Sequence, residues 1–229
     1  MPPIHSILFD LDGTLIDHFS AIHRSVAYAQ ERLGLPVSDY ATVRATVGGS
    51  VSITLARLLG DASQVEAAMP HFRQQFDAIM LDDVAVLPGA AELLAALSAE
   101  GYQTAVFTNK FADHARAVLA HLGLDRWLDE IIGTGEGNHR KPEPEFTRHA
   151  LDRLGASAEH SILVGDSPFD FEAAAAVGLP AYLVATGSHS EAQLAAETQA
   201  AGIYPDLACL GRSVFGLKLA ARSPAIEGA

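Results

Sequence analysis

Acidic, hydroxyl and lysine side chains follow several short apolar runs of this chain, and their types could do chemistry. Two acids follow the first run, and other polar groups follow later runs or lie in a polar loop. The residues are Asp10, Asp12, Thr108, Asn109, Lys110, Lys141, Asp166, Ser167 and Asp170. If the runs are strands of one parallel sheet, their carboxyl ends meet at one edge, where open α/β sheets bind ligands.

Several acids at one edge require a cation, because like charges raise one another's pKa unless a positive charge joins them. Mg²⁺ suits one or two carboxylates together with waters and a substrate phosphate. The hydroxyl of Thr108 and the amine of Lys141 would then hold the other oxygens of a phosphoryl group. We therefore expect a Mg²⁺ site that receives a phosphorylated substrate. The sequence contains no Walker-A loop, no His-Glu-x-x-His and no Gly-x-Ser-x-Gly motif.

The elements that position these residues alternate between short apolar runs and amphipathic segments that end at glycine. We predict strands over 7–9, 104–107, 130–132, 161–164 and 181–184, and helices over 90–99, 113–122, 145–154 and 171–177. This alternation is typical of an α/β fold, a Rossmann-like parallel sheet core with helices on both faces.

One long segment interrupts that alternation. Residues 17–87 have helical periodicity, with no strand alternation, and predict helices over 19–33, 51–59 and 65–81. We interpret the segment as an inserted α-helical bundle. The predicted domains are a catalytic core at 1–17 and 86–229 and a helical cap at 18–85, and no pattern is clear over 217–229.

Composition limits the partners. The 229 residues include 15 Lys+Arg and 28 Asp+Glu, for a formal net charge of −13. Such a surface repels nucleic acid, and no apolar run approaches the roughly 18 residues of a membrane span. The single cysteine excludes an internal disulfide and a Cys-cluster zinc site. Because no signal-peptide pattern is present, we expect a cytoplasmic protein. The residues at the predicted sheet edge suggest a small phosphorylated metabolite as its partner, and both a monomer and a homodimer are compatible with the sequence.

Four segments together resemble the signatures of the haloacid dehalogenase-like superfamily. They are Phe-Asp-Leu-Asp-Gly-Thr-Leu at 9–15, Phe-Thr-Asn-Lys at 107–110, Lys-Pro-Glu-Pro-Glu at 141–145 and Gly-Asp-Ser-Pro-Phe-Asp at 165–170. All four occur in the family's order, and the resemblance extends from residue 4 to about residue 190.

The resemblance implies a role for each matching position. Asp10 would be the nucleophile that forms an aspartyl-phosphate, and Asp12 the general acid and then base. Thr108, the backbone of Asn109 and Lys141 would bind the phosphoryl group. The implied Mg²⁺ ligands are Asp10, the backbone carbonyl of Asp12, Asp166 and, through water or Lys141, Asp170. We also expect the Asp10 carboxylate to keep Asp12 protonated for the first step.

The substrate is less defined than the reaction. In the family that the chain resembles, dehalogenases lack an acid at the position of Asp12, and phosphonate-cleaving members use a lysine of the cap. Because this chain has Asp12 and no lysine over 17–87, the resemblance favours phosphoryl transfer over both. The resemblance points to a phosphoglycolate phosphatase-like enzyme, with a nucleotidase, a pyrophosphatase, a sugar-phosphate mutase or a non-catalytic binding protein as alternatives. In the cap, Arg44 could bind a second anionic group of the substrate, and Gly48 and His18 are further candidates for substrate contact.

Overall fold

The computed structural model describes residues 3–61, 63–135, 137 and 139–219. In chain order its elements are β1 (Ser6–Phe9), β2 (Ile16–Asp17), α1 (Phe19–Arg32), α2 (Tyr40–Thr46), α3 (Val51–Leu59), α4 (Ser63–Ile79), β3 (Ala85–Val86), α5 (Ala90–Ala99), β4 (Gln103–Phe111), α6 (Ala112–Leu122), β5 (Glu130–Thr134), α7 (Pro144–Leu154), β6 (Ser161–Gly165), α8 (Pro168–Ala175), β7 (Ala181–Val184), α9 (Glu191–Glu197), β8 (Gly202–Tyr204) and α10 (Leu207–Phe215).

A six-stranded sheet forms the centre of the molecule, in the order β5-β4-β1-β6-β7-β8. Every neighbouring pair of its strands is parallel. The first strand lies between β4 and β6, with Ile7 opposite Thr104 on one side and Ile162 on the other. The predicted parallel α/β fold is therefore confirmed.

Helices cover both faces of this sheet. Successive residues of a strand point to opposite faces, so Ile7 and Phe9 lie in one apolar cluster and Leu8 in another. The first cluster includes side chains of α5, α6 and α10, and the second includes side chains of α7 and α8. Strands buried on both faces explain the continuous apolar runs of the sequence.

The helices α1 to α4, residues 19–79, form the unit that we call the helical insertion. They have a third apolar cluster of their own, whose buried members include Val26, Leu55, Phe72 and Phe76. At the base of the insertion, β2 and β3 pair as an antiparallel ribbon, with Ile16 opposite Val86. The prediction of a purely helical segment missed this ribbon, because two-residue strands are too short to show alternation. The domain boundaries at 18 and 85 stay a prediction.

Several shorter elements were not predicted, among them α2, α9, β8 and α10. Helix α8 was predicted from residue 171 but begins at Pro168, because Ser167 and Asp170 form a capping box there. Of the unpatterned segment at 217–229, residues 220–229 lie outside the described part of the chain. Among the described helices, none combines the length and apolar character required to cross a bilayer.

Candidate active site

The carboxyl ends of three adjacent strands bring the predicted site residues together. Asp10 follows β1, Asp166 follows β6, and Thr108 lies near the end of β4, which is longer than the sequence indicated. The backbone N–H of Asp10 donates to the Val164 carbonyl at 2.8 Å, which continues the pairing of β1 with β6 beyond the regular strand. The backbone of Asp10 is thus held by the sheet one residue beyond the regular strand.

Lys141 is fully buried between two carboxylates. Its Nζ lies 2.8 Å from Asp10 Oδ1 and 2.7 Å from Asp170 Oδ1. Burial alone would lower the pKa of Lys141, but the charges of Asp10 and Asp170 raise it above its usual value. The lysine is therefore a permanent cation at the centre of the site.

Asp170 pairs with Lys141 through Oδ1 and accepts hydrogen bonds from nearby donors with Oδ2. Its Oδ2 accepts hydrogen bonds from the backbone N–H of Asp166 at 3.2 Å and from the hydroxyl of Ser167 at 2.7 Å. Both oxygens of Asp170 are therefore occupied by donors of the protein. This arrangement makes Asp170 a positioning residue for Lys141 as well as the N-terminal capping partner of α8.

Asn109 fixes the backbone of the same lysine. Its side-chain Oδ1 accepts from the Lys141 N–H at 2.8 Å, and its Nδ2 donates to the Lys141 carbonyl at 3.1 Å. The buried Thr108 Oγ1 accepts from the Lys110 N–H at 3.2 Å. The Asn109 side chain thus orients Lys141, and the phosphate-binding roles predicted for Thr108 and for the Asn109 backbone stay predictions.

Asp166 is oriented by contacts that motif analysis did not assign. Thr14 Oγ1 donates to its Oδ1 at 3.2 Å, and the Ser188 N–H donates to its Oδ2 at 3.1 Å. Gly13 has a φ of +89°, and a Cβ there would lie 2.8 Å from Asp166 Oδ2. Glycine at position 13 therefore permits both the turn and the close approach. The Asp-Gly-Thr sequence signalled the turn, whereas nothing in the sequence indicated the contact of Ser188.

The acidic residues at this edge exceed the positive charge available to them. Burial raises the pKa of Asp10 to about 6, although the Lys141 ammonium opposes the shift. Burial, followed by the charges of Asp170 and Asp10, raises the pKa of Asp166 well above its usual value. Asp10 Oδ1 is also buried without an aligned hydrogen-bond donor, despite its short ion pair with Lys141.

These features fit a divalent cation. Single oxygens of Asp10, Asp166 and Asp170 all lie within 4.8 Å of one another. Carboxylate oxygens are the ligands that Mg²⁺ prefers, and the cation would balance the excess negative charge. Asp170 accepts from the Lys141 ammonium with one oxygen and from three further donors with the other, whereas each oxygen of Asp166 accepts one bond from a neutral donor. Asp10 and Asp166 are therefore the better placed side-chain ligands. The backbone carbonyl of Asp12 stays a predicted third ligand.

Asp12 lies in a second charged group, which includes Lys110 and His18. Lys110 Nζ donates to both carboxylate oxygens of Asp12, at 2.8 and 3.0 Å. His18 Nδ1 lies 3.5 Å from Asp12 Oδ1, while its Nε2 is 2.7 Å from the Met80 carbonyl. The second contact requires Nε2 to carry a proton, because a carbonyl can only accept.

The charge state of Asp12 differs from the expectation. Burial favours the protonated form of Asp12, but the Lys110 ammonium outweighs it and holds the pKa of that carboxyl well below its usual range. The expectation that Asp10 would keep Asp12 protonated is therefore wrong for the protein without substrate. The sequence placed Lys110 at the end of a strand, but only the fold brings its amine against Asp12.

The candidates in and beside the helical insertion have different surroundings. Arg44 Nη2 donates to the carbonyls of Thr186 and Gly187 at 3.3 and 3.2 Å, and its guanidinium lies 5.1 Å from the centre of the Phe19 ring. Gly48 faces Ser167, whose Cβ would lie 3.2 Å from a Cβ at position 48. Arg44 and Gly48 therefore tie the insertion to the loops beside Asp166, whereas His18 touches Asp12. Contact of these three residues with substrate stays a prediction.

Comparison with known proteins agrees with this arrangement. Residues 7–184 match the family described as haloacid dehalogenase-like hydrolase. The chain is 32% identical over 216 residues to a phosphoglycolate phosphatase of Rhodospirillum rubrum, covering 90% of this chain and 89% of that protein. It is 35% identical over 206 residues to a 5'-nucleotidase of Pseudomonas aeruginosa, covering 90% and 93%.

A solved structure extends the comparison to the fold. The crystal structure of a predicted phosphatase from Clostridium acetobutylicum superimposes with a TM-score of 0.87 at 26% identity, covering 94% of this chain and 100% of that one. The matched segment 7–184 contains all four motifs on which the resemblance depended. The chain therefore belongs to the haloacid dehalogenase-like hydrolase family.

Proposed function

We propose that this chain is a Mg²⁺-dependent phosphatase that hydrolyses a small phosphate monoester through an aspartyl-phosphate on Asp10. The observation that carries the proposal is the buried Lys141 between Asp10 and Asp170, beside the carboxylate of Asp166. A buried nucleophile with an adjacent fixed cation suits a reaction in which negative charge moves between oxygens. The names of the relatives, a phosphoglycolate phosphatase and a 5'-nucleotidase, support the same chemistry.

The reaction divides into two displacements at phosphorus. A carboxylate oxygen of Asp10 forms a bond to phosphorus while the ester bond breaks, and Asp12 gives its proton to the departing oxygen. Asp12 then takes a proton from water, whose oxygen attacks the aspartyl-phosphate and releases phosphate and free Asp10. The intermediate replaces one difficult hydrolysis by two easier steps. Mg²⁺ held by Asp10 and Asp166 would supply a positive charge that neutralises the phosphoryl oxygens.

Asp12 must acquire its proton when substrate arrives, since Lys110 keeps it ionised beforehand. A phosphate dianion placed beside Asp12 would raise the pKa of that carboxyl, because like charge disfavours ionisation. Lys110 can also turn part of its interaction from Asp12 to the phosphoryl group. Protonation of the general acid would thus accompany substrate binding.

Among substrates, phosphoglycolate is the one that the sequence resemblance suggests, and a nucleotide or pyrophosphate is the alternative. A mutase would need a second phosphoryl acceptor. For Arg44 to bind the carboxylate of phosphoglycolate, its guanidinium would have to give up its hydrogen bonds to the Thr186 and Gly187 carbonyls. A small phosphorylated metabolite as partner, a cytoplasmic location and a monomeric or homodimeric state stay predictions.

The proposal is tested with p-nitrophenyl phosphate, an activated monoester. Asp10→Asn should fold normally and lose turnover by roughly 10⁴-fold or more, as expected for removal of a nucleophile. Asp152→Asn removes an exposed carboxylate of α7 and should leave turnover unchanged. EDTA should stop the wild-type reaction and added Mg²⁺ should restore it. Substantial turnover by Asp10→Asn, or full activity in EDTA, would overturn the proposal.

A further inference from the structure

A cavity of about 50 Å³ lies between the helical insertion and the sheet edge. The acidic side chain of Asp12 and the end of β4 form its floor, and the insertion helices with α6 form its walls. Its lining includes Asp12, Val47, Leu55, Phe72, Phe76, Lys110 and His114.

The walls of this cavity are predominantly apolar. Leu55, Phe72 and Phe76 are nearly or fully buried side chains of the insertion. The rings of Phe72 and Phe76 stack with centroids 5.5 Å apart and an interplanar angle of 11°. Such walls gain free energy from covering an apolar surface, and a charged group there would lose its hydration.

Each charged or titratable side chain among the described lining residues already has a partner. Lys110 is paired with Asp12, and the Phe76 ring lies 4.8 Å from its Nζ. His114 Nε2 lies 2.6 Å from Asp77 Oδ1 on α4. When Asp12 takes up its proton, the phosphoryl group becomes the partner of Lys110. The part of the cavity that the structure describes therefore offers no unpaired cation for a carboxylate or a second phosphate of the leaving group. Arg44 does not line it.

The position of Asp12 connects this cavity to the reaction. In the proposed mechanism Asp12 gives its proton to the leaving oxygen, so the leaving group must extend from the phosphorus past Asp12. We propose that this leaving group occupies the cavity and is uncharged and predominantly apolar, such as an alkyl or aryl alcohol. The inference rests on the proposed phosphatase function and adds the chemical class of the substrate.

A neighbouring cavity is the competing location. It is lined by the hydroxyls of Ser50 and Ser52 and by Arg140 and His139, and it would suit an anion. Asp12 does not line it, however, and Glu143 already contacts both Arg140 and His139, at 3.5 Å from Arg140 Nε and 3.1 Å from His139 Nδ1. The observations favour the apolar cavity.

The first test compares kcat/KM for butyl phosphate and phosphoglycolate, two alkyl esters of similar size. We expect butyl phosphate to be preferred by roughly tenfold or more, because a carboxylate among apolar walls is poorly solvated. Equal values, or a preference for phosphoglycolate, would overturn the inference while leaving the phosphatase function intact. Failure of p-nitrophenyl phosphate hydrolysis would instead refute the function itself.

The second test adds a cation to each cavity in turn. Val47 lines the apolar cavity, Ser52 lines the polar one, and both are half-buried residues of the insertion. Val47→Lys should raise the ratio of phosphoglycolate to butyl phosphate kcat/KM by roughly tenfold, whereas Ser52→Lys should not change it. A rise with Ser52→Lys alone would place the leaving group in the polar cavity and overturn the inference. The wild-type comparison decides the matter if Val47→Lys does not fold.

Discussion

The strand-edge cluster of Asp10, Lys141, Asp166 and Asp170 and the apolar cavity above it are built in opposite ways. In the cluster, buried charges are joined by contacts of 2.7–2.8 Å around one lysine. In the cavity, aromatic and aliphatic side chains of the helical insertion leave an open space beside Asp12. The charges of the cluster have specific partners, whereas the cavity is defined mainly by the shape of its apolar walls.

Under the proposed function, the strand-edge cluster carries the reaction and the cavity selects the substrate. Directional ion pairs and hydrogen bonds hold Asp10, the proposed nucleophile, and the Lys141 cation within narrow limits, as phosphoryl transfer requires. Apolar packing is less directional and tolerates exchange of side chains of similar volume. Under the proposed function, exchange of side chains in the cavity would therefore alter the accepted leaving group without altering the strand-edge cluster.

Lys141→Met breaks the strand-edge cluster most severely. It leaves Asp10 and Asp170 buried without their cation, so we expect turnover to fall by roughly 10³-fold or more and the free energy of unfolding to fall by about 3–5 kcal/mol. The measurements are p-nitrophenyl phosphate hydrolysis and urea unfolding. Lys218→Met, which removes an exposed lysine, is the control. Near-normal stability of Lys141→Met would contradict the described ion pairs.

Lys110→Met tests the charged group between the two regions. Lys110 holds the pKa of Asp12 below its value in the unfolded chain. The pair therefore stabilises the folded protein fully above about pH 4, and this stabilisation decreases as the pH falls below that value. We expect the variant to lose about 1–3 kcal/mol of unfolding free energy at pH 7. Urea unfolding at a series of pH values should show the difference from wild type narrowing below about pH 4. A constant difference would exclude linkage to Asp12.

The cation site can be tested without any activity measurement. Because burial raises the pKa of Asp10 to about 6, protons compete with a divalent cation below that pH. The increase in melting temperature caused by Mg²⁺ should therefore grow from pH 5 to pH 7, to a few degrees. Asp166→Asn should greatly reduce it, whereas Asp113→Asn, which alters an exposed acid, should retain it. A shift independent of pH would argue against Asp10 as a ligand.

Arg44→Ala distinguishes two interpretations of the insertion and has the smallest expected effect. The sequence-based hypothesis of a substrate-binding arginine predicts a selective loss with phosphoglycolate. The observed bonds to the Thr186 and Gly187 carbonyls predict instead a loss of about 1 kcal/mol of stability and equal effects on all esters. The ratio of kcat/KM for phosphoglycolate and p-nitrophenyl phosphate in the variant separates them.

The sequence predicted the sheet and the strand-edge residues because both depend on local patterns. Buried parallel strands are continuous apolar runs in the sequence. Because the residues that follow parallel strands lie at the same edge of the sheet, Asp10 and Asp166 could be assigned to that edge from the sequence alone. The ribbon of β2 and β3 and the short elements α2 and β8 escaped prediction. Segments of two to seven residues contain too few positions for a period to be recognised.

Residue types and their order along the chain thus determined the fold class, the family and the groups that could transfer a phosphoryl group. Only the tertiary structure decided that the Lys110 ammonium keeps the Asp12 carboxyl ionised. It also decided that Asp170 pairs with Lys141 and that Arg44 donates to a backbone carbonyl. These contacts join residues far apart in the sequence. The effect of a charge or of burial on a side chain depends on distances in space, which the order of residues does not give. The same holds for the cavity, whose apolar walls exist only where the insertion packs over the sheet edge.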